Sequence, residues 1–503
     1  MTGRPFPPGS YDVVVVGSGP GGLQTSYWLR RLGVPHAVLS ADDEPGGMFR
    51  RLPVYQRLIS WTKPDAPAPR GTREYELYDH NSLIAAKPEL QALVTEFMDR
   101  SFDVPARGEM EAALAAFAER AAIEVRYGCT WEATRRDEDG YLLVTSEGEY
   151  RCRVAVFAVG MTEPWRPATP GIDGALHYVD TRPPPEYAGK RVLIVGKRNS
   201  AFEIAQALLP WAEQLILASP RPVQTSVLAL SPLRVRYLQP YDEHVRGGFG
   251  TSILDASVER IERRDGGFRV ATNGTTWDGS LVFDVDEVIA ATGFGTPLRD
   301  LPELGLATVA DGRLPALTPF WESVSLPGIF FAGNVTQAER GLEKHGVSAS
   351  STAVNGFRYN ARVLAEHLAE RVFGVALPRP AVAPDDVVPF LLGEASRAPE
   401  LWVQKGYLAR ILSVDEAGIR DEGVLPLTHF VDDGPAQGIA ISVELDPRGT
   451  IHPVVYLRDG AVAEHALPPH PLHDYTGEEY RRLLGDRLDS LLGRATPLER
   501  RSP

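Results

Sequence analysis

The chain has 503 residues, 43% of them hydrophobic, which is enough to bury two or three cores. A formal net charge of −14 argues against nucleic acid or an anionic membrane as partner, because both select basic surfaces. No apolar run approaches the length of a membrane span, and the opening MTGRPFPPGS is polar and proline-rich without a signal-like stretch, so the expectation is a soluble cytoplasmic protein.

The first element is the run Tyr11–Val16, YDVVVV, which stops at Gly17-Ser18-Gly19-Pro20-Gly21-Gly22. This pattern predicts a buried strand feeding a glycine turn. Gly17 permits the tight turn, Gly19 lets backbone approach a pyrophosphate, and Gly22 lets the next helix pack closely on the strand. That helix carries Leu23, Tyr27, Leu29 and Leu32 at helical spacing and stops at Gly33. Its N-terminus aims free N–H groups and the positive end of the dipole at the phosphates. Gly17, Ser18, Gly19, Pro20, Gly21 and Gly22 are therefore expected to hold a dinucleotide.

The second strand is His36–Ser40. Where an acid normally binds the adenosine ribose stands Ser40, a weaker partner, with Asp42 and Asp43 just beyond. The glycine pair in Glu44-Pro45-Gly46-Gly47-Met48-Phe49 then resembles the flavoprotein pattern in which backbone passes close to FAD, which adds Gly47 and Met48 to the cofactor contacts. Further on come Ser60-Trp61-Thr62-Lys63, the proline-flanked Arg70-Gly71-Thr72-Arg73, and Asp79-His80-Asn81-Ser82. The Arg70–Arg73 stretch reads either as a lid over a pocket or as flexible linkage. Cys129 and Cys152 are the only cysteines and form no C-x-x-C, which excludes a redox dithiol of the thioredoxin-reductase kind and leaves both as small core residues.

At Lys190 the design repeats: RVLIVGKRNSAFEIAQALL is again strand, turn and helix. Gly196 and Ala201 fill the first and third small positions, Arg198 stands where the second glycine belongs, and Asn199-Ser200 opens the helix. Arg198 has two readings. It either obstructs the pyrophosphate or turns outward and lends it charge. We read the site as a working NADPH site, weakened if the side chain obstructs. The strand Leu215–Ala218 leads to Ser219-Pro220-Arg221 and ends without an acid; Arg221 suits a 2′-phosphate, and a solvent-facing loop arginine is the plainer alternative. Val156–Gly160 and Val288–Phe294 resemble the two crossings between nucleotide domains. Gly328–Asn334 looks like the strand whose end, Gly333 and Asn334, contacts the FAD ribityl and pyrophosphate. A helix is expected to open at Val347 or Ser348 with its N-terminus toward the flavin ring.

The pattern implies an α/β fold with two Rossmann-like nucleotide-binding domains, the NADPH domain inserted in the FAD domain, plus an α+β C-terminal extension. The FAD domain would be 1–162 and 296–376, the NADPH domain 163–295, and the extension 377–503, entered through a proline-rich linker at about 377–386. Within the extension, Ile439–Val443 and His452–Tyr456 read as strands. His465, His470 and His473 are separated by prolines and lack cysteine partners, so a solvated loop outweighs a metal site.

Taken together these residues resemble the flavin-containing monooxygenase and N-hydroxylase superfamily. The nearest subgroup is the FAD-dependent oxidoreductase domain-containing proteins. The subgroup signals are Leu58-Ile59-Ser60 with Lys63, Tyr78–Leu83, Gly196–Glu203 and Asn355-Gly356-Phe357-Arg358-Tyr359, across roughly residues 10 to 375. The interdomain fingerprint of Baeyer–Villiger enzymes is only faint, at Gly174-Ala175-Leu176-His177, which weakens a ketone-oxidising reading.

The resemblance implies FAD and NADPH as cofactors, with O2 and a small-molecule substrate as reactants. NADPH would reduce FAD, oxygen would add to give a C4a-hydroperoxide, and an amine or sulfur of a small biosynthetic metabolite would take the distal oxygen. By position in the family's flavin-facing loop, Trp61 and Thr62 are cofactor contacts, Trp131 is counted with them, and Asn81 and Lys63 are catalytic candidates. Asn81 can hydrogen-bond the peroxide without titrating; its plainer reading is a turn cap. Lys344 and His345 either line the substrate side or are exposed charges of a helix-entry loop. Two other classes compete: a flavin oxidase or dehydrogenase without NADPH use, and a flavin-bearing scaffold. No motif names the substrate or an oligomeric state.

Overall fold

The computed structural model describes residues 4–53, 55–224, 237–241, 244–245, 250–346 and 349–495. The valine run forms β1 (Gly9–Val16), whose inner half, Val13–Val16, is buried. It feeds α1 (Pro20–Arg31) and then β2 (His36–Leu39), which lies parallel to β1. A hairpin of β3 (Trp131–Asp137) and β4 (Gly140–Thr145) leads to β5 (Gly148–Phe157).

β5 organises this six-stranded sheet. One edge runs parallel to β1. On the other edge its first half pairs antiparallel with β4, and its last residues, Ala155–Phe157, pair parallel with β17 (Ile329–Phe331). The carboxyl ends of β1, β5 and β17 therefore point the same way, and a crevice outside such ends is where open α/β sheets bind ligands.

Between β5 and β17 the chain builds the second unit and then returns: past Gly295, Leu298, Leu301, Leu306 and Leu326 pack with Val14 and Phe157 of the first unit, around a short antiparallel pair, β15 (Thr308–Val309) and β16 (Leu314–Pro315). The chain leaves through β6 (Glu163–Pro164) and β7 (Leu176–His177), then repeats the opening motif as β8 (Arg191–Val195), α2 (Asn199–Leu208) and β9 (Gln214–Ser219). β10 (Thr251–Arg264), β11 (Gly267–Gly274), β12 (Ser280–Val285) and β13 (Glu287–Ala290) complete a seven-stranded sheet of order β12-β11-β10-β9-β8-β13-β7. The return crossing, β14 (Phe294–Gly295), pairs antiparallel with β6, so both connections run side by side.

α3 (Val354–His367) packs on α1 and closes the first unit. It opens later than Val347 or Ser348, which lie outside the described residues: Ala353 is still extended (φ −119, ψ 158) and caps the helix. The expected linker is also shorter than 377–386. Ala381–Val382 already pairs with Ile419–Arg420, and Pro384, with its φ preset for a first helical turn, starts α4 (Pro384–Arg397). The extension is a six-stranded antiparallel sheet covered by α4 and α5 (Pro399–Val403); both of its expected strands are present, within Gln437–Leu445 and Ile451–Asp459. Its apolar face merges with the core of the first unit, where Leu391, Leu401 and Leu412 join the cluster of Leu23, Phe117 and Leu364. Among the described residues, no helix is long and apolar enough to cross a membrane.

Candidate dinucleotide sites

Four chain segments meet at the ends of β1, β5 and β17 with no side chain between them. Gly17 turns at φ 117, and a Cβ on it would lie 2.4 Å from the Ala158 carbonyl oxygen. A Cβ on Gly21 would sit 2.5 Å from the Gly333 Cα, and one on Gly22 1.9 Å from the Gly17 oxygen. Gly47, at φ 57, brings its own loop against the Gly19 Cα, where a Cβ would come within 2.9 Å. Only glycine fits such approaches. The segments Gly17–Gly21, Gly47–Met48 and Gly333–Asn334 line one cavity of about 540 Å³. A wall of bare backbone amides at a helix N-terminus is suited to a diphosphate, so the residues present fit a dinucleotide.

Ser40 lies in the same wall, but its hydroxyl is engaged by Ser18 Oγ at 2.8 Å and accepts from the Asp42 backbone N–H at 3.2 Å. Asp42, just beyond, also lines the cavity, with its carboxylate held 2.5 Å from Arg51 Nη2. Trp131 is buried against Phe157 and donates its indole N–H to Thr134 Oγ1 at 3.0 Å, while Arg299 lies 5.4 Å above its ring.

Asn81 reaches the cavity, buried at 1% exposure. Its amide donates to the Ser60 carbonyl at 2.9 Å and to Thr62 Oγ1 at 2.8 Å. The turn cap here is Asp79, whose Oδ1 accepts from the backbone N–H groups of Asn81 and Ser82, both at 3.0 Å, and from Thr62 Oγ1. Trp61, Thr62 and Lys63 are not among the lining residues. Thr62 braces Asn81, Trp61 packs on His80, and the exposed Lys63 sets its ammonium over the Trp61 and Tyr78 rings. The wall also contains Phe357, from one of the subgroup signals, and Gln56, Met161, Thr162, Pro297, Thr352 and Ala353, which sequence reasoning passed over because no spacing marks them.

The second turn copies the first. Gly196 has φ 138, and a Cβ there would lie 2.5 Å from the Ala291 oxygen, matching Gly17 and Ala158. Arg198 caps α2 as Gly19 caps α1, in extended backbone (φ −110, ψ −171) open to any residue. Its side chain is exposed, and Asn199 and Ser200 follow in the first turn. The buried Lys197 ion-pairs with Asp255. Arg221 is exposed two residues past β9. His177 ties the crossings together through Nε2 and the Gly293 carbonyl, 3.1 Å apart, and burial lowers its pKa.

The extension fixes two segments read as mobile or substrate-facing. Arg73 is clamped by Glu394 at 2.7 Å and Glu400 at 2.9 Å, so the Arg70–Arg73 stretch is anchored rather than a free lid. Lys344 turns into the extension, onto Glu444 at 3.1 Å and Glu464 at 2.5 Å, while His345 is exposed. Among the described residues no cluster of histidine, cysteine or acid can hold a metal.

Two dinucleotide folds, one interposed in the other and each with a bare-backbone turn, define a two-nucleotide flavoprotein oxidoreductase. The chain belongs to the pyridine nucleotide-disulphide oxidoreductase family, whose profile matches residues 14–333. FAD and NADPH are accordingly its cofactors. It is 26% identical over 460 residues to FAD-dependent oxidoreductase domain-containing protein 2 of Danio rerio, covering 80% of this chain and 65% of that one, so it spans slightly less than two thirds of that relative's length. It is 26% identical over 341 residues to a ferredoxin–NADP reductase of Thermus thermophilus, covering 64% of this chain and 84% of that one. The flavin-containing monooxygenase from Stenotrophomonas maltophilia shares the fold, with a TM-score of 0.54, 22% identity and coverage of 72% of this chain and 99% of that one. The thiols of Cys129 and Cys152 are free and buried, neither lines the cavity, and burial pushes the Cys152 thiol up to about 12.

Proposed function

We propose that the protein is an NADPH-dependent flavin monooxygenase that places one atom of O2 on a nitrogen or sulfur of a small metabolite, the other atom leaving as water. The observation that carries this reading is a cofactor cavity whose described wall contains no thiol, so reduced cofactor has no disulfide of this chain to receive its electrons. Bound FAD would supply the redox chemistry, accepting hydride from the nicotinamide and passing the electron pair to dioxygen. The chain's part is to bind, orient and exclude water. The glycine segments would grip the diphosphate, and Arg198 and Arg221, both exposed beside the second turn, would offer charge to the phosphates of NADPH. Asn81, with both amide hydrogens engaged, keeps Oδ1 to accept a hydrogen bond from a bound group without titrating.

Likeness to ferredoxin–NADP reductases supports a second reading, in which the electrons go to an external carrier. Anaerobic mixing of the purified protein with NADPH, followed by admission of oxygen, separates the two. The monooxygenase reading expects rapid bleaching of the flavin, fast reaction with oxygen, and substrate-dependent oxygen incorporation. Bleaching followed by sluggish reoxidation, with rapid reduction of an added one-electron acceptor, favours the carrier reading. Flavin that stays yellow with NADPH contradicts both.

A further inference from the structure

None of the described residues that line the FAD cavity comes from the C-terminal extension. The extension nevertheless reaches the cavity through a buried chain of hydrogen bonds. Gln404, just past α5, donates from Nε2 to Asn360 Oδ1 at 2.8 Å and to Ser351 Oγ at 3.1 Å. Asn360, on α3, donates from Nδ2 to Thr336 Oγ1 at 2.9 Å and to Ser351 Oγ at 3.0 Å. Thr336 Oγ1 donates to the Gly333 carbonyl at 2.6 Å. All four side chains are buried, none more than 1% exposed.

The direction of this relay is forced. A carbonyl can only accept, so the Thr336 hydroxyl spends its single hydrogen on Gly333 and must accept from Asn360. That fixes the Asn360 amide with Nδ2 toward Thr336 and Oδ1 toward the extension, where only a donor can meet it. Gln404 supplies that donor. Two branches of the relay lead to the cofactor wall: Gly333 lines it and packs on Gly21, and Ser351 directly precedes the lining residues Thr352, Ala353 and Val354.

We infer that Gln404 is a positioning residue for the FAD cradle, and that docking of the extension and binding of FAD favour each other through Gln404, Asn360 and Thr336. The inference rests on the FAD cradle and is independent of where the electrons go. Removing a donor here leaves buried acceptors unpaired and frees the Gly333 turn (φ 79) from its tether. Coupling of this kind is reciprocal.

The test is FAD titration of apoprotein, followed by flavin fluorescence, with melting temperature measured alongside. Thr336→Val breaks the relay with little change in volume, and Thr336→Ser restores the hydroxyl. Gln404→Leu breaks it at the far end, and Leu401→Ala, at a fully buried position one turn away, weakens the extension without touching the relay. The expected result is a Kd for FAD raised about tenfold in T336V and Q404L, the consequence of about 1.4 kcal/mol. T336S should bind as the parent does, and L401A should keep the parental Kd although its Tm falls. A parental Kd in T336V, no rescue by T336S, or a loss of affinity in L401A as large as in Q404L would overturn the inference. If Q404L does not fold, the T336V and T336S pair decides alone.

Discussion

Gly21 and Gly333 meet backbone to backbone: a Cβ on Gly21 would lie 2.5 Å from the Gly333 Cα and 2.7 Å from its nitrogen. Both atoms are main chain and have no rotamer to yield. Gly21→Ala is therefore expected to push the two cofactor-holding turns apart, at about 1–3 kcal/mol, and to weaken FAD binding roughly ten- to hundredfold. Gly33→Ala is the comparison, since its neighbourhood is open and its φ of 74 imposes only local strain. The ratio of flavin to protein absorbance after purification reads the difference.

Arg198 and Gly19 occupy equivalent cap positions, yet the arginine backbone is unstrained and its side chain exposed. If that side chain serves the phosphates, Arg198→Gly removes charge and gains no room. We expect the KM for NADPH to rise about three- to tenfold, as for loss of one exposed charge-assisted contact. A fall in KM would mean that the arginine had been in the way.

Glu400 joins the extension to the first unit. Burial raises its carboxyl pKa, but the guanidiniums of Arg362, 2.8 Å away, and Arg73 outweigh burial and hold it at about 2. Glu400→Gln removes the carboxylate partner of Arg362 and leaves Arg73 on Glu394 alone, and a loss of about 3–5 kcal/mol is expected in denaturant unfolding. Because the folded pKa is depressed, the parent keeps this contribution above pH about 4.3 and loses it as pH falls toward about 2.

His367 stacks on Phe320, with ring centroids 4.1 Å apart, and burial, then Arg371 and His429, lowers its pKa to about 4. The unfolded chain binds this proton near pH 6.5, so stability is full above that value and falls as pH drops from about 6.5 to about 4. Melting temperature should decline over that window, and His367→Gln should flatten the slope. An unchanged slope in the variant would remove His367 from the account.

The two strand–turn–helix motifs were legible because their signals are local. Four consecutive valines, glycines at fixed offsets and a helical period all fall between Tyr11 and Gly33, and the run RVLIV, Gly196 and a second helical period repeat the order between Arg191 and Leu208. What sequence missed depends on residues far apart in the chain. Nothing near Ser40 announces that Ser18 engages its hydroxyl. The helix start at Val354 is set by an extended Ala353, and Arg73 looked free because its partners, Glu394 and Glu400, lie more than three hundred positions later. The relay from Gln404 to Gly333 has no sequence period at all.

The most direct test of the whole account is the identity and amount of flavin that the purified protein carries, measured by releasing the cofactor with heat and separating it by chromatography. The glycine-walled cavity predicts FAD, stoichiometric with protein and lost in Gly21→Ala. Protein that emerges colourless and stays so after incubation with FAD, or that holds FMN instead, would contradict it.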